Sequence, residues 1–438
     1  MVVKVIGAGL AGCEAAWQLA NHNIDVELYE MKPVKYSPAH SYKGFAELVC
    51  SNSLKAARID SAAGMLKEEM RRLGSLTMEC AAQTSVSAGG ALAVDREKFS
   101  DMVTEKIENH PRIKIFTEEI DNIPDGYVII ATGPLTSGGL AQSISDKCGS
   151  YLSFFDAAAP IVTYESLDKD LIFYASRYGK GEADYINCPM NKEEYLAFYN
   201  ELINAESAPL KEFDMQSFKV YEGCMPIEVL AKRGEDTMRF GPLKPVGLTD
   251  PRTGKRPYAV VQLRKENNDG TLYNLVGFQT NLKFGEQKRV FSLITGLKDA
   301  EFVRYGVMHR NSFIDSPRHL DEYFCLRKDE KIYFAGQITG VEGYIESAAS
   351  GIMAGLNLAR KLNNLEQISL PKETMLGALS KYISDESVTN FQPMGSNMGI
   401  LPDLPERIRD KKLKYQTLAD RGIKNLMTVL EDDNERFL

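Results

Sequence analysis

The sequence predicts an α/β chain built on a parallel sheet, with a second, α+β segment inserted into it. Three observations carry this expectation. An apolar strand, a glycine-rich turn, a helix and a second strand ending in a carboxylate follow one another within the first thirty residues. Two further apolar strands, far apart in the chain, also end in glycine. Between residues 156 and 305 the pattern changes to short alternating strands joined by polar turns.

Val2–Ile6 reads as the first strand, and Gly7-Ala8-Gly9-Leu10-Ala11-Gly12 follows it directly. A helix begins at Cys13-Glu14-Ala15-Ala16, and Val26-Glu27-Leu28-Tyr29-Glu30 supplies the next strand. In such a turn the first glycine permits the sharp bend, the second lets backbone approach a pyrophosphate, and the third packs helix against strand. The helix start offers free N–H groups and a positive dipole end. Glu30 is placed to accept hydrogen bonds from an adenosine ribose with an unphosphorylated 2′-OH. These elements in register predict a Rossmann-like dinucleotide or flavin site.

Residues 60–75 and 95–109 read as amphipathic helices, and Ile113-Lys114-Ile115-Phe116 as a short strand. Gly126–Pro134 is a buried strand running into Ala131-Thr132-Gly133, and Lys331–Phe334 is another, ending in Ala335-Gly336-Gln337. The small residues of 343–351 suit a helix packed tightly beside a cofactor. Three strand ends aimed at one sheet edge would build a single long groove. In the middle segment, Tyr258–Leu263 and Tyr273–Phe278 flank a turn with Asp269-Gly270 and read as an antiparallel hairpin. Residues 192–204 read as a helix, as do 372–385 and 405–430, the last two joined by a loop through 391–397. The expected organisation is a discontinuous cofactor domain over 1–155 and 306–438, with an inserted α+β domain over 156–305.

The 438 residues suggest about two to three domains. No apolar run approaches the roughly 18–20 residues of a membrane span, and the apolar N-terminus reads as a strand, not a cleaved signal. The seven cysteines are scattered without a CxxC pair, and the five histidines show no ligand spacing with them. This points to reduced thiols in the cytoplasm and gives no support for a metal site. No GxSxG elbow or P-loop is present, and the net charge of −8 does not favour nucleic acid as a whole.

Two cysteines stand out by context. Cys50 lies in Glu47-Leu48-Val49-Cys50-Ser51-Asn52-Ser53-Leu54, where small polar residues interrupt an apolar stretch. Cys224 lies in Tyr221-Glu222-Gly223-Cys224-Met225-Pro226-Ile227-Glu228, just before an expected helix. A thiol beside a helix N-terminus has more thiolate character and suits nucleophilic work. The competing reading is that free cysteine is a small buried hydrophobe. Cys13 on the fingerprint helix reads as packing, and Cys80, Cys148, Cys188 and Cys325 have no distinguishing context.

The opening Gly7–Ala16 and the closing Ala335-Gly336-Gln337 with Gly340-Val341-Glu342-Gly343-Tyr344 resemble flavoproteins that modify uridines in tRNA. The Cys50 and Cys224 segments and Gln392-Pro393-Met394-Gly395-Ser396-Asn397 sharpen the resemblance to the folate- and FAD-dependent tRNA (uracil-5-)-methyltransferases. That family is related to the larger GidA/MnmG flavoproteins, which carry a long additional C-terminal part. The resemblance implies a glutathione-reductase-like FAD-binding domain. It also implies that NADH or NADPH reduces the FAD, and that a carbon from 5,10-methylenetetrahydrofolate becomes the methyl group of 5-methyluridine in the T-loop, at position 54. By the same likeness Cys224 adds to uracil C6, and Cys50 is the acid/base thiol that helps remove the C5 proton. Gly7, Ala8, Gly9, Leu10, Ala11, Gly12 and Glu30 would hold the ADP half of FAD. Ala131, Thr132, Gly133, Gly336 and Gln337 would approach the rest, and Tyr344 would lie near the isoalloxazine or else serve helix packing. Many flavoproteins place an aspartate where this chain has Gln337, so an amide or backbone group would take that role.

Local charge supports an RNA partner. Residues 231–265 hold nine basic side chains (Lys232, Arg233, Arg239, Lys244, Arg252, Lys255, Arg256, Arg264 and Lys265) against three acidic ones. Arg407, Arg409, Lys411, Lys412 and Lys414 form a second cluster at 407–414. Such patches suit phosphate contacts, with a solvated surface as the alternative. A target uridine would have to be unstacked to meet a buried thiol. Ribosomal RNA as substrate, a GidA-like uridine modification and a non-catalytic flavin- and RNA-binding module remain alternatives. Only the GidA-like reading calls for an obligatory protein partner.

Overall fold

A computed structural model of the chain describes residues 2–149, 151–179, 182–208, 225–267 and 269–435. Its first sheet has six strands: β1 (Val2–Ile6), β2 (Asp25–Glu30), β6 (Ile113–Thr117), β7 (Val128–Ile130), β16 (Cys325–Leu326) and β17 (Asp329–Phe334), in the order β16-β17-β7-β1-β2-β6. All neighbours are parallel except β16 and β17. The three glycine-ended strands read from the sequence, β1, β7 and β17, are therefore adjacent and run the same way. Their apolar residues pack against α1 (Leu10–Asn21) and the long C-terminal helix over 344–362.

Glycine sets that packing. Gly7 has φ +96°, and a Cβ there would lie 2.7 Å from the Ala131 carbonyl oxygen. A Cβ on Gly12 would lie 1.8 Å from the Gly7 oxygen. On the facing helix, a Cβ at Gly351 would stand 2.2 Å from the Ala11 oxygen and one at Gly355 2.6 Å from the Ala15 oxygen.

The amphipathic stretch at 60–75 is shorter than expected, and a second helix follows it. Ser61 caps α2 (Ala62–Arg72), which stops before Gly74 at φ +71°. Ser75 then caps α3 (Leu76–Gln83). The buried Glu14 of α1 receives the Leu76 and Thr77 N–H groups at 3.1 and 2.8 Å. Helix α4 (Arg96–Glu108) is capped by Asp95, and α5 spans Gly138–Cys148. Three short strands, β3 (Ser53–Ala56), β4 (Ser85–Val86) and β5 (Ala91–Val94), form a small antiparallel sheet that the sequence did not announce.

The chain enters and leaves a second sheet through an antiparallel pair, β8 (Leu152–Ala157) and β15 (Met308–Phe313). That sheet contains β9 (Ile161–Thr163), β10 (Phe173–Tyr174), β11 (Tyr185–Met190), β12 (Ala259–Lys265), β13 (Leu272–Leu275) and β14 (Phe302–Arg304), all antiparallel, in the order β10-β11-β12-β13-β9-β14. The expected hairpin is β12–β13. Helix α6 (Lys192–Asn204) opens with a full capping box from Asn191 and Glu194. With α7 (Ile227–Ala231) and α8 (Phe284–Phe291) it closes a separate apolar core around Phe198, Phe278 and Phe291. The longer helices toward the C-terminus are α9 (Tyr344–Leu362), α10 (Met375–Ser384) and α11 (Lys411–Glu435). Helix α11 starts six residues later than the sequence suggested, beyond Pro405. Among the described residues no helix is long and apolar enough to cross a membrane.

Replacing Gly351 with alanine forces α1 and α9 apart. We expect Gly351→Ala to lose about 1–3 kcal/mol in urea unfolding, the range for overpacking a close-packed contact, whereas alanine at the unobstructed Gly285, in the first turn of α8, should hold the midpoint or raise it.

Candidate active site

A groove of about 510 Å³ runs along the C-terminal ends of β1, β7 and β17. Its walls include Gly7, Ala8, Gly9, Leu10 and Ala11 from the first turn, and Glu30 and Lys32 beyond β2. Ala131, Thr132 and Gly133 line it beyond β7, Gly336 and Gln337 beyond β17, and Gly343 and Tyr344 at the start of α9. Neither α1 nor α9 has a side-chain cap, so their first N–H groups remain available to an anion.

These residues fit a dinucleotide such as FAD. A Cβ added at Gly9 would meet nothing within 4 Å, which leaves the space a pyrophosphate needs. Gly12 lines no part of the groove but permits the close approach of α1 to the Gly7 turn. The buried Glu30 carboxylate accepts the Ala8 N–H at 2.8 Å and the Lys32 N–H at 2.9 Å, which fixes it at the groove wall. Gln337 donates its amide to Glu342 at 2.5 Å, so its NH2 group is committed within its own loop. Thr132 bonds Thr136 at 2.6 Å through the hydroxyls.

Cys50 lies on the same groove, against Tyr344. The Tyr344 oxygen accepts the N–H of Cys50 at 2.6 Å and that of Ser51 at 3.3 Å. The sulfur of Cys50 lies 3.0 Å from this oxygen. With two N–H groups on its lone pairs, the phenol directs its own proton to the sulfur. Desolvation, then the charge of Cys50, pushes Tyr344 well above the ordinary phenol range, so it stays protonated and able to donate. Tyr344 is thus a polar partner of the candidate thiol, not a helix-packing residue alone.

The other described cysteines are buried. Burial pushes the thiols of Cys80, Cys188 and Cys325 up to about 12 and that of Cys148 up to about 11. Cys13 is also raised by burial, and it donates to the Ala8 oxygen at 3.3 Å. Cys224 lies outside the described residues. The helix expected after it is α7, a single short turn following Pro226.

A family model described as glucose inhibited division protein A matches residues 2–366. A relative from Acetivibrio thermocellus, "Methylenetetrahydrofolate--tRNA-(uracil-5-)-methyltransferase TrmFO", is 61% identical over 97% of each chain. One of the same name from Enterococcus faecalis is 58% identical over 96% of this chain and 97% of its own. The chain belongs to the TrmFO family, which is related to GidA. Among solved structures, GidA from Aquifex aeolicus superposes with a TM-score of 0.69 at 17% identity, covering 98% of this chain and 75% of that one, a likeness of fold.

The structure adds members of this family site that the sequence did not single out. Lys55 pairs with the buried Glu346 of α9 at 2.6 Å, and the same carboxylate oxygen accepts the Ser396 N–H at 2.9 Å and its hydroxyl at 2.6 Å. This fastens the 392–397 loop beside the start of α9, where Val341 bridges Met394. Gln279 and Asn311 reach the groove from the second sheet's side of the chain.

The basic patch at 231–265 divides. Arg264 is 7% exposed and bonds Asn52 and Ser51, so it does not belong to an outer phosphate-binding surface. Arg239 pairs with Asp236 and covers the Tyr258 ring at 3.5 Å, and Arg252 pairs with Asp250 at 2.8 Å. Lys232, Arg233, Lys244, Lys255 and Arg256 remain exposed, as do Arg407, Arg409, Lys411 and Lys412 in the second cluster.

Alanine at Gly9 meets no protein atom, yet occupies the space reserved for the pyrophosphate. The expected outcome for Gly9→Ala is an unchanged unfolding midpoint for the cofactor-free protein with at least tenfold weaker FAD binding by fluorescence titration. An equal loss of fold stability would contradict this reading of the turn.

Proposed function

We propose that this chain forms 5-methyluridine at position 54 in the T-loop of tRNA, with 5,10-methylenetetrahydrofolate as carbon donor, FAD as resident cofactor and NADH or NADPH as reductant. The observation that supports it most is the Cys50–Tyr344 pair on the wall of a groove built like a dinucleotide site. Uracil C5 is a weak nucleophile until a group adds to C6. Cys224 is the proposed nucleophile: its thiolate forms a bond to C6 while the C5–C6 π pair moves toward the C4 carbonyl, giving an enolate whose C5 attacks the one-carbon unit. Cys50 then takes the C5 proton, and the electron pair so freed breaks the bond from the new carbon to its carrier. Hydride would complete the methyl group, and the C6–sulfur bond breaks as the C5–C6 double bond re-forms, returning Cys224. Bound FAD supplies carriage of the one-carbon unit and the hydride that completes the methyl group.

The chain's own part is to hold two sulfurs at the base and to keep water from competing. Tyr344, donating to the Cys50 sulfur, steadies it in both protonation states. The exposed basic residues of 231–265 and 407–414 would grip the phosphates of tRNA, with the target uridine turned out of its stack. No obligatory protein partner enters this scheme, and the cytoplasm is the compartment in which free thiols and unfinished tRNA meet.

The test combines purified protein, FAD, both nicotinamide cofactors, methylene-labelled folate and an unmodified tRNA transcript. Label should appear in 5-methyluridine after nuclease digestion and fall by at least a thousandfold in Cys224→Ala. Label in ribosomal RNA but not tRNA would move the substrate; label in neither, with flavin bound and reducible, would sink the methyltransferase reading.

A further inference from the structure

The loop that carries Cys50 is held from two sides by guanidinium groups. Arg96, the first residue of α4, donates one nitrogen to the Leu48 oxygen at 2.8 Å and to the Val49 oxygen at 3.0 Å. Arg264, near the end of β12 in the second sheet, donates to Ser51 Oγ at 2.7 Å and Asn52 Oδ1 at 3.0 Å. Asn52 closes the contact by donating to the Lys265 oxygen at 2.7 Å. Thus Cys50 sits in the middle of a five-residue span, Leu48–Asn52, whose other members are held by arginine.

The charges in this cluster do not cancel. Glu266 receives Arg96 through two nitrogens, at 2.7 and 3.3 Å. Arg264 makes no salt bridge among the described residues, since it bonds an amide and a hydroxyl, while the charge of Glu266 acts on it as well as on Arg96. Other groups face the cluster from each packed element. Tyr344 on α9 stays neutral, Arg304 on β14 adds a further positive charge, and Tyr185 on β11 faces Arg264. Glu47, on the Cys50 loop itself, is taken by Lys32 at 3.4 Å and by the Ser41 and Tyr42 N–H groups. Lys55 on β3 is neutralised by Glu346.

We propose that Arg96 and Arg264 hold Cys50 as a thiolate, so that the second sheet, through Arg264 and the adjoining Glu266, sets the reactivity of a sulfur carried on the loop before β3. The two arginines are positioning residues. They fix the loop through its carbonyls and polar side chains, and their surplus positive charge favours the anionic sulfur over the neutral one. The charge of Cys50 acts on both guanidiniums, and a nearby opposite charge shifts a pKa by about 1–3 units, enough to convert a thiol that is mostly protonated at neutral pH into one that is mostly ionised. The inference rests on the proposed role of Cys50 as the group that takes the C5 proton, since a base must be ionised before the substrate arrives.

The experiment measures the rate of iodoacetamide alkylation of Cys50 against pH in the full-length flavoprotein, read by peptide mass spectrometry, with no folate or RNA present. In Arg264→Gln, which keeps a donor but loses the charge, the midpoint should rise by about one pH unit and the rate below it fall about tenfold. Arg264→Lys should restore the low midpoint. Glu266→Gln, which removes the negative charge beside Arg96, should move the midpoint down. A role confined to shaping the loop would move the two glutamine variants in the same direction or leave both midpoints in place, and either result overturns the proposal. If Arg264→Gln does not accumulate as a flavoprotein, the sign of the Glu266→Gln shift decides alone. Because the assay needs no methyl transfer, opposite shifts in an enzyme inactive on tRNA would retain this electrostatic device and reject only the substrate assignment.

Discussion

Where α1 and α9 cross, the carbonyl oxygens of Ala11 and Ala15 occupy the places that side chains at 351 and 355 would need. The helices meet backbone to backbone, and the groove follows from this contact. Gly12 brings α1 onto the Gly7 turn in the same manner, with no room for a methyl group. Two uncapped helix starts, at Leu10 and Tyr344, consequently open on one groove above three parallel strand ends. Since Tyr344 is the first residue of α9, the position of its phenol, and with it that of the Cys50 sulfur, depends on a contact made at the other end of the crossing.

The strand that follows Cys50 is secured by polar groups that leave little freedom. Lys67 of α2 places a buried ammonium against the Leu54 and Ala56 oxygens, each at 2.6 Å, and burial draws its pKa down to about 8. Lys55 reaches across to Glu346, which also holds Ser396. Buried polar networks of this type specify one arrangement because any alternative strands a charge or a carbonyl without its partner. Here the network ties together α2, β3, α9 and the 392–397 loop, which are far apart in sequence. It brings the segment after Cys50, the start of α9 and the 392–397 loop to one place.

What the sequence made legible was local. The fingerprint at Gly7–Gly12, the carboxylate at Glu30, the β12–β13 hairpin and the capped helix α6 each announce themselves within a dozen or so residues, through turn chemistry or periodicity. Cys50 was marked by its polar neighbours. The clamp around it was not legible: Arg96 and Glu266 are 170 residues apart, and neither has a neighbour that betrays its partner. The short strands β9, β10 and β14 are too brief to show a period and owe their existence to the sheet they complete. Arg264 shows the sharper limit. In the sequence it is one more positive charge in a basic stretch, and only the alternation of β12, which turns it toward Asn52, separates it from the exposed Arg256.

That inward turn gives the groove two ways of meeting negative charge. At the Gly7 turn the donors are backbone N–H groups, which carry partial charge, need no side chain and leave space for a bulky phosphate. Near Cys50 they are a phenol 3.0 Å from the sulfur and guanidiniums on the neighbouring residues of its loop, which bring full charge. A sulfur acting as a base would need the second kind. Its basicity has to be low enough for ionisation at neutral pH, yet its neighbours must not donate a proton that would quench it, and arginine does not lose its proton under such conditions. Five other described cysteines, pressed into apolar packing, show the alternative: burial raises their thiols even where a lysine offsets part of the shift, as Lys106 does at Cys80 and Lys361 at Cys325. Cys50 differs from those five in lying half-buried on the groove, on a loop held by side chains from β12 and α4.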